Sequence, residues 1–316
     1  MESKTKSRRY LVIVNPFARG GQAGRASSPL FEALKSRGVS HEIVFTEKPG
    51  HAERLATERA KDFDVIVSAA GDGTTNEIIN GIMRSGNRDL KLALFPLGTG
   101  DDLARNVGYR RNNGKLALEA ILGDSSRTID LINYSGRYAA VSFGIGIDSE
   151  IAEGAYKWKV FKAPAYIYAG FKKFMLEGHK SYHVHFEYEG EIFDDQVLLS
   201  VVCNAPRIAR HVKINPQARM NDGILNMTIG KEMPNFFGVV LFFLASIGGK
   251  HEYSHYVTLH ELRTMRIEFQ EFTYAQADGE VIEFEAGDVV NISVEPKALE
   301  ILVPEESLHN RKLPFV

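Results

Sequence analysis

Four short apolar runs in the first hundred residues, each closed by turn residues and followed by a helix-patterned stretch, constrain this chain more than any other feature. Tyr10–Asn15 (YLVIVN), His41–Thr46 (HEIVFT), Asp64–Ala69 (DVIVSA) and Lys91–Phe95 (KLALF) read as strands. Helical stretches at Leu30–Lys35, His51–Lys61 and Thr75–Arg84 separate or follow them. Strands alternating with helices of this size build βαβ units and a parallel sheet covered on both faces. Ligands of such sheets bind beyond the carboxyl ends of the strands.

From about Asp130 the texture changes. Alternating segments take over at Tyr182–Tyr188, Val197–Cys203, Leu225–Ile229, Met265–Phe269, Val281–Phe284 and Val289–Val294, interrupted by helical stretches near Pro164–Leu176 and Asn235–Ile247. This pattern predicts a β-rich second domain of sandwich type. A length of 316 residues exceeds what one core usually serves. The expected fold is therefore α/β: a doubly wound parallel-sheet domain over 1–130, which 297–316 can rejoin, and a sandwich domain over 131–296. The ligand cleft is expected between the two domains.

Bulk properties exclude several classes. A net charge of −2 gives no support to nucleic-acid binding. The single cysteine, Cys203, has no internal partner, and no apolar signal segment follows Met1, so a cytoplasmic setting is expected. Phe236 to Ile247 (FFGVVLFFLASI) is dense in apolar residues but far shorter than the ~20 residues that span a bilayer. With Pro234 before it and Gly248-Gly249 after it, the segment reads as a buried helix, and no transmembrane segment is expected.

The glycines fall where a ligand would bind. Strand one ends in Asn15-Pro16-Phe17-Ala18-Arg19-Gly20-Gly21, the third in Ala70-Gly71-Asp72-Gly73-Thr74-Thr75-Asn76-Glu77, and the fourth in Pro96-Leu97-Gly98-Thr99-Gly100-Asp101-Asp102. Glycine lets backbone N–H groups approach an anion without a Cβ in the way, and such turns open onto helix N-termini. Thr74 and Thr99 add hydroxyl donors. Each loop alone reads as an ordinary turn. Their coincidence at one sheet edge points to a polyphosphate.

Asp72 sharpens this reading. A carboxylate among phosphate-binding amides repels the ligand unless a divalent cation lies between them, which favours a magnesium–nucleotide. The dinucleotide fingerprint G-x-G-x-x-G is absent after strand one. Late in the chain, Asp278-Gly279-Glu280 carries the commonest signal for a hairpin turn. Its functional reading is that Asp278 accepts a proton from an attacking hydroxyl. Both readings stand at this point.

Taken together, Asn15-Pro16, Thr46 with Gly50-His51-Ala52, Gly71-Asp72-Gly73-Thr74 through Asn76-Glu77, Pro96 through Arg105, Asp222-Gly223 and Asp278-Gly279-Glu280 resemble the diacylglycerol kinase catalytic-domain family. That family includes bacterial lipid kinases and, more distantly, sphingosine and ceramide kinases. The resemblance covers nearly the whole chain. It implies an ATP-dependent kinase acting on a lipid hydroxyl at a membrane surface, with ATP and Mg²⁺ as cofactors. Nucleotide-binding residues carried over are Asn15, Pro16, Phe17, Ala18, Arg19, Thr46, Ala70, Gly71, Asp72, Gly73, Thr74, Thr75, Asn76 and Thr99. Asp278 is implied as the base, Asp72 acts through the metal, and Glu280 helps position water or metal. A structural magnesium is implied at Asp222 with the carbonyls of Arg219 and Ile224. A homodimer and a peripheral place at the membrane are further expectations.

The chain departs from the family pattern at several places. Ala70 stands for a glycine, Arg19 for a glycine in the Asn-Pro loop, and Asp101 for an asparagine. Ala209-Arg210-His211 replaces a glycine run, and Asn221 replaces an aspartate beside Asp222. Asp101 is expected to add a metal contact or to weaken nucleotide binding. Tyr156 to Met175 interleaves Lys157, Lys159, Lys162, Lys172 and Lys173 with aromatics, and reads either as a helix with solvated lysines or as an anionic-lipid docking surface. The ten histidines show no metal spacing, and His183 and His185 read as structural. Two alternatives remain: a kinase of a soluble acceptor, as in NAD kinases, and a nucleotide- or lipid-binding protein that has lost turnover.

Overall fold

The computed structural model describes residues 8–147, 149, 181–233 and 236–316. The chain divides into two compact units, 1–130 with 296–315 and 131–295 with 316. The helix expected near Pro164–Leu176 and the basic-aromatic segment Tyr156–Met175 lie outside the described residues.

In the first unit β1 (Arg9–Val14) lies between β2 (Ser40–Phe45) and β3 (Val65–Ala69), and β4 (Lys91–Leu94) pairs with the far side of β3. All of these pairings are parallel. The last part of β15 (Val289–Leu302) extends the sheet beyond β4, through Glu300 opposite Lys91 and Ile301 opposite Leu92. Leu11 to Val14 and the whole of β3 are buried. That burial explains why these strands read as continuous apolar runs rather than alternating ones. The helices include α1 (Ser28–Ser36), α2 (His51–Arg59), α3 (Asp72–Ser85), α4 (Asp102–Asn106) and α5 (Gly114–Leu122), with four-residue helical turns at Ala18–Gly21, Ala23–Ala26 and Glu305–Leu308. The order β2-β1-β3-β4 reverses direction at β1, so the crevice between β1 and β3 is the topological switch point.

One boundary differs from expectation in a useful way. The third helix begins at Asp72, with Gly71 as its N-cap, three residues before the predicted start at Thr75. The Gly-Asp-Gly-Thr motif is thus the first turn of α3. Periodicity missed it because glycine has poor helix propensity, and first-turn N–H groups have no intrahelical acceptor to reward regular residues.

The second unit is antiparallel. The pairings run β14 (Glu280–Phe284), β13 (Thr273–Ala277), β7 (Ser142–Gly146), β9 (Glu191–Cys203), β8 (Tyr182–Tyr188), β12 (Thr264–Phe269) and the start of β15. A branch adds β10 (Leu225–Lys231) to β9 and β11 (Val257–Leu262) to β10, while β5 (Ser126–Tyr134) pairs with β15 and with β6 (Arg137–Ala139). In β8 Tyr182, Val184 and Phe186 are buried while His183 and His185 are not, the alternation expected of a half-buried strand. Val197 to Cys203 of β9 is buried throughout. Val197 and Val202 join one core cluster, while Leu198, Leu199, Val201 and Cys203 join a second. That second cluster is closed by α6 (Phe236–Gly248) through Val239 and Phe242. Among the described residues no helix is long and apolar enough to cross a membrane.

The segment that replaces a glycine run keeps glycine-like geometry. Ile208 and Val212 bridge each other, and the tip between them holds Ala209 at φ 45° and Arg210 at φ 71°. Left-handed backbone at a residue with a Cβ is strained.

Candidate active site

The loops at the carboxyl ends of the first unit's strands are tied together by their own side chains. At the switch point Asn15 leaves β1 and donates from Nδ2 to Thr74 Oγ1 at 2.8 Å, linking the Asn-Pro loop to the first turn of α3. Its Oδ1 accepts the Phe17 amide at 3.0 Å. Pro16, Phe17, Ala18 and Arg19 follow in a loop where Arg19 has φ 53° and Gly20 φ 65°, and Phe17 is 72% exposed. Arg19 therefore occupies a left-handed position that suits glycine. Thr46 directly follows β2, is buried, and donates its amide to Val14 O at 2.8 Å.

Glu77, on α3, accepts the amides of Gly50 at 2.8 Å and Ala52 at 3.1 Å. Its carboxylate caps the N-terminus of α2, where anionic groups are stabilised. Ala70 and Gly71 close β3, and Gly73, Thr74, Thr75 and Asn76 continue the first turns of α3. Thr75 Oγ1 sits 2.8 Å from Ser68 Oγ and donates to Gly71 O, which anchors the helix start to the strand it follows.

Asp72 joins the third strand's loop to the fourth's. Its two carboxylate oxygens accept the amides of Asp101 and Asp102, each at 2.7 Å. Burial, followed by the charges of Asp102 and Asp101, pushes its carboxyl up to about 7. Thr99 lies in the same fourth-strand loop, which returns on itself where Asp101 Oδ1 accepts the Gly98 amide at 2.8 Å. Asp101 has φ 54°, in the left-handed region that Asn and Asp tolerate best among residues with a Cβ. Its carboxyl oxygen does what an asparagine carbonyl would do there. The two loops meet backbone to backbone: a Cβ on Gly98 would lie 2.7 Å from Gly71 Cα and 2.6 Å from Asp101 Oδ1. Glycine at 98 is a packing requirement.

The second unit holds the other candidates. Asp278 and Gly279, at φ 51° and 84°, form the two-residue turn between β13 and β14, and Glu280 opens β14 opposite Ala277. That geometry is a type I′ hairpin. The Asp278 carboxylate does more than turn the chain, because Oδ2 accepts the Ala140 amide at 2.7 Å and Oδ1 those of Val141 and Ser142 at 2.8 and 3.0 Å. The hairpin reading and a positioned carboxylate hold at once. At the other turn, Asp222 Oδ1 accepts the Ile224 amide at 3.1 Å, while the Arg219 guanidinium donates to the carbonyls of Gln217 and Ala218. Among the described residues no group of three or more His, Cys, Asp or Glu is arranged for a metal.

Sequence reasoning missed Glu77 as a cap, Asp101 as a loop clasp and the amides of Ala140 to Ser142. The first had a signal, a carboxylate five residues into a helix whose neighbour starts at a glycine. The others depend on contacts between residues far apart in the chain.

With this geometry established, the similarities to known proteins can be placed. Residues 9–134 match the diacylglycerol kinase catalytic domain, and 139–303 match the YegS C-terminal NAD kinase beta sandwich-like domain. The chain is 25% identical to a diacylglycerol kinase of Bacillus subtilis (strain 168) over 302 residues, covering 95% of this chain and 97% of that one. It is 31% identical to a diacylglycerol kinase of Staphylococcus aureus (strain bovine RF122 / ET3-1) over 229 residues, 70% of each. A crystal structure of a diacylglycerol kinase from Bacillus anthracis str. Sterne superposes with a TM-score of 0.72 at 22% identity, covering 96% of this chain and 100% of that one. At that identity the superposition speaks for the fold. The matches over 9–134 and 139–303, with a relative 31% identical over 70% of each chain, make this chain a member of the diacylglycerol kinase catalytic-domain family.

Proposed function

We propose that the protein is an ATP-dependent lipid kinase that transfers the γ-phosphate to a lipid hydroxyl, with diacylglycerol as the acceptor class. The observation that carries this reading is the stitching of the loops after β1, β3 and β4 by Asn15–Thr74 and by Asp72 with the Asp101 and Asp102 amides. These contacts fix the three loops at the sheet's carboxyl edge beside the N-terminus of α3, a place where backbone N–H groups and a helix N-terminus stabilise a triphosphate.

In this reading the nucleotide lies along Asn15 to Arg19, Thr46, Ala70 to Asn76 and Thr99. Asp72 is burdened by the charges of Asp101 and Asp102, and a divalent cation carried by the nucleotide would relieve that repulsion, so the residues fit magnesium–ATP. The cation's chemistry is to neutralise charge that develops on the phosphoryl oxygens. Asp278 takes the proton from the lipid hydroxyl as its oxygen bonds to phosphorus and the bond to the ADP oxygen breaks. The amides of Ala140 to Ser142 keep that carboxylate in one orientation. Glu280 sits two residues on to position water or metal. At the Asp222 turn, one carboxylate and the carbonyls of Arg219 and Ile224 are hard oxygen donors that fit a single magnesium keeping several waters. The enzyme would work at the cytoplasmic face of a membrane without spanning it.

The test is Asp278→Asn, assayed for nucleotide binding and turnover separately. Binding is expected to persist while turnover falls about 10²–10⁴-fold. Near-normal turnover removes Asp278 from the role of base. A soluble acceptor is the second reading, favoured only by the NAD kinase-like character of the matched C-terminal domain. It predicts activity independent of vesicles or micelles. Against a loss of turnover stands the retention of both Asp72 and Asp278, each held by backbone amides.

A further inference from the structure

Helix α6 is apolar on two opposite faces. Val239, Phe242 and the buried Ser246 face inward, and Phe242 packs edge-on against His251. At 100° per residue Leu241 and Leu244 fall on the opposite side, and they are each 60% exposed, with Ile247 beside them at 52%. The thirteen residues of the helix carry no charge. A helix that is apolar all round is ordinarily buried in a core or in a membrane. This one, about 20 Å long by the standard rise, is too short to cross a bilayer. It ends at Gly248-Gly249 and runs into a short turn where Tyr253 is 83% exposed. Leu241, Leu244, Ile247 and Tyr253 thus gather large exposed apolar side chains within one short stretch of chain.

Charged residues lie in the chain on both sides of the helix, Lys231 and Glu232 before it and Lys250 and Glu252 after it. Lys213 donates its amide to Ser246 O at 2.8 Å, and its side chain lies beside Gly249. Lys250 follows at once and is exposed, and Glu252 is the acidic group in the same turn. An apolar stripe, an exposed tyrosine and flanking lysines are the composition of a segment that lies in the plane of a lipid interface.

We propose that the Leu241–Leu244–Ile247 face of α6, with Tyr253 and the lysines Lys213 and Lys250, docks flat on a phospholipid bilayer by inserting its apolar side chains below the headgroups. The choice of a bilayer rests on the reading of the substrate as a lipid. A second copy of the chain is the competing occupant, and it becomes an outcome of the test.

The experiment is co-sedimentation of the full chain with phosphatidylcholine vesicles containing phosphatidylglycerol and no diacylglycerol, so that binding is read without any turnover. The triple variant Leu241→Gln, Leu244→Gln, Ile247→Gln is compared with the wild type, with circular dichroism and nucleotide binding as controls for folding. Binding is expected to weaken at least about tenfold, because each replaced side chain loses its favourable transfer from water. The double variant Lys213→Glu, Lys250→Glu is expected to weaken binding less, and only on vesicles containing the anionic lipid. Equal binding by wild type and the folded triple variant overturns the proposal. So does a wild-type sedimentation mass of a dimer that becomes monomeric in the triple variant. Phosphorylation of a water-soluble short-chain diacylglycerol is measured in parallel. If the triple variant retains it, the docking face and the kinase reading stand or fall separately.

Discussion

Asp72 offers the most quantitative test of how the phosphate-side loops are built. Its carboxyl is raised from the ordinary aspartate range to about 7, first by burial and then by the charges of Asp102 and Asp101. A carboxyl whose pKa is higher in the folded state favours folding in its protonated form, so stability falls as pH rises through the window between the two values. Below about pH 4 both states are protonated and the effect vanishes. Above about pH 7 both are ionised and the loss is complete, amounting to roughly 4 kcal/mol. Between pH 5 and pH 8 the change is about 2.5 kcal/mol. Asp72→Asn removes the titration and keeps one acceptor for the Asp101 or Asp102 amide. Denaturant unfolding of both proteins, without nucleotide or metal, should show the variant gaining about 2.5 kcal/mol on the wild type from pH 5 to pH 8. Parallel pH profiles for the two proteins would refute the argument, because Asp72 would then ionise as freely as an exposed aspartate.

Three further outcomes follow from particular contacts. Gly98→Ala drives a Cβ into Gly71 Cα and Asp101 Oδ1, so calorimetry should find nucleotide affinity lowered by at least about tenfold, with a destabilisation of roughly 1–3 kcal/mol. Glu77→Ala leaves the Gly50 and Ala52 amides without their cap and should cost about 1–2 kcal/mol in chemical denaturation. Ala209→Gly with Arg210→Gly relieves two left-handed residues at the 208–212 hairpin tip and should raise stability by about 1 kcal/mol, read as a thermal shift of a few degrees.

Much of the architecture was legible because burial writes itself into residue pattern. The strands β1, β3 and β4 are covered on both faces, so their apolar runs were unmistakable, and β8 alternates because only one of its faces is buried. The carboxyl-edge position of the glycine turns was legible for the same reason, since strand ends fix loop positions. What pattern could not supply was pairing at long range. β15 pairs antiparallel with β12 near its start and parallel with β4 near its end, a double role set by partners distant in sequence. The Asp72 clasp spans 29 residues to Asp101, and the Asp278 clasp spans 138 to Ala140. Asp101 brings a negative charge that bears on Asp72, and the structure adds a backbone role that pattern could not show, a left-handed residue whose side chain closes its own turn. Likewise the pair Ala209-Arg210 lacks glycine yet keeps the conformation glycine would have supplied.

The central claim is that amides gathered at this sheet edge present a nucleotide's terminal phosphate to a lipid hydroxyl. The most direct measurement incubates purified protein with γ-labelled ATP, magnesium and vesicles of total lipid extract, then identifies the labelled product by mass. Labelled phosphatidic acid, formed by the wild type and abolished in the Asp278→Asn variant, is the predicted result. Label found solely on a water-soluble acceptor, or ATP left intact in the presence of every lipid, would contradict the account.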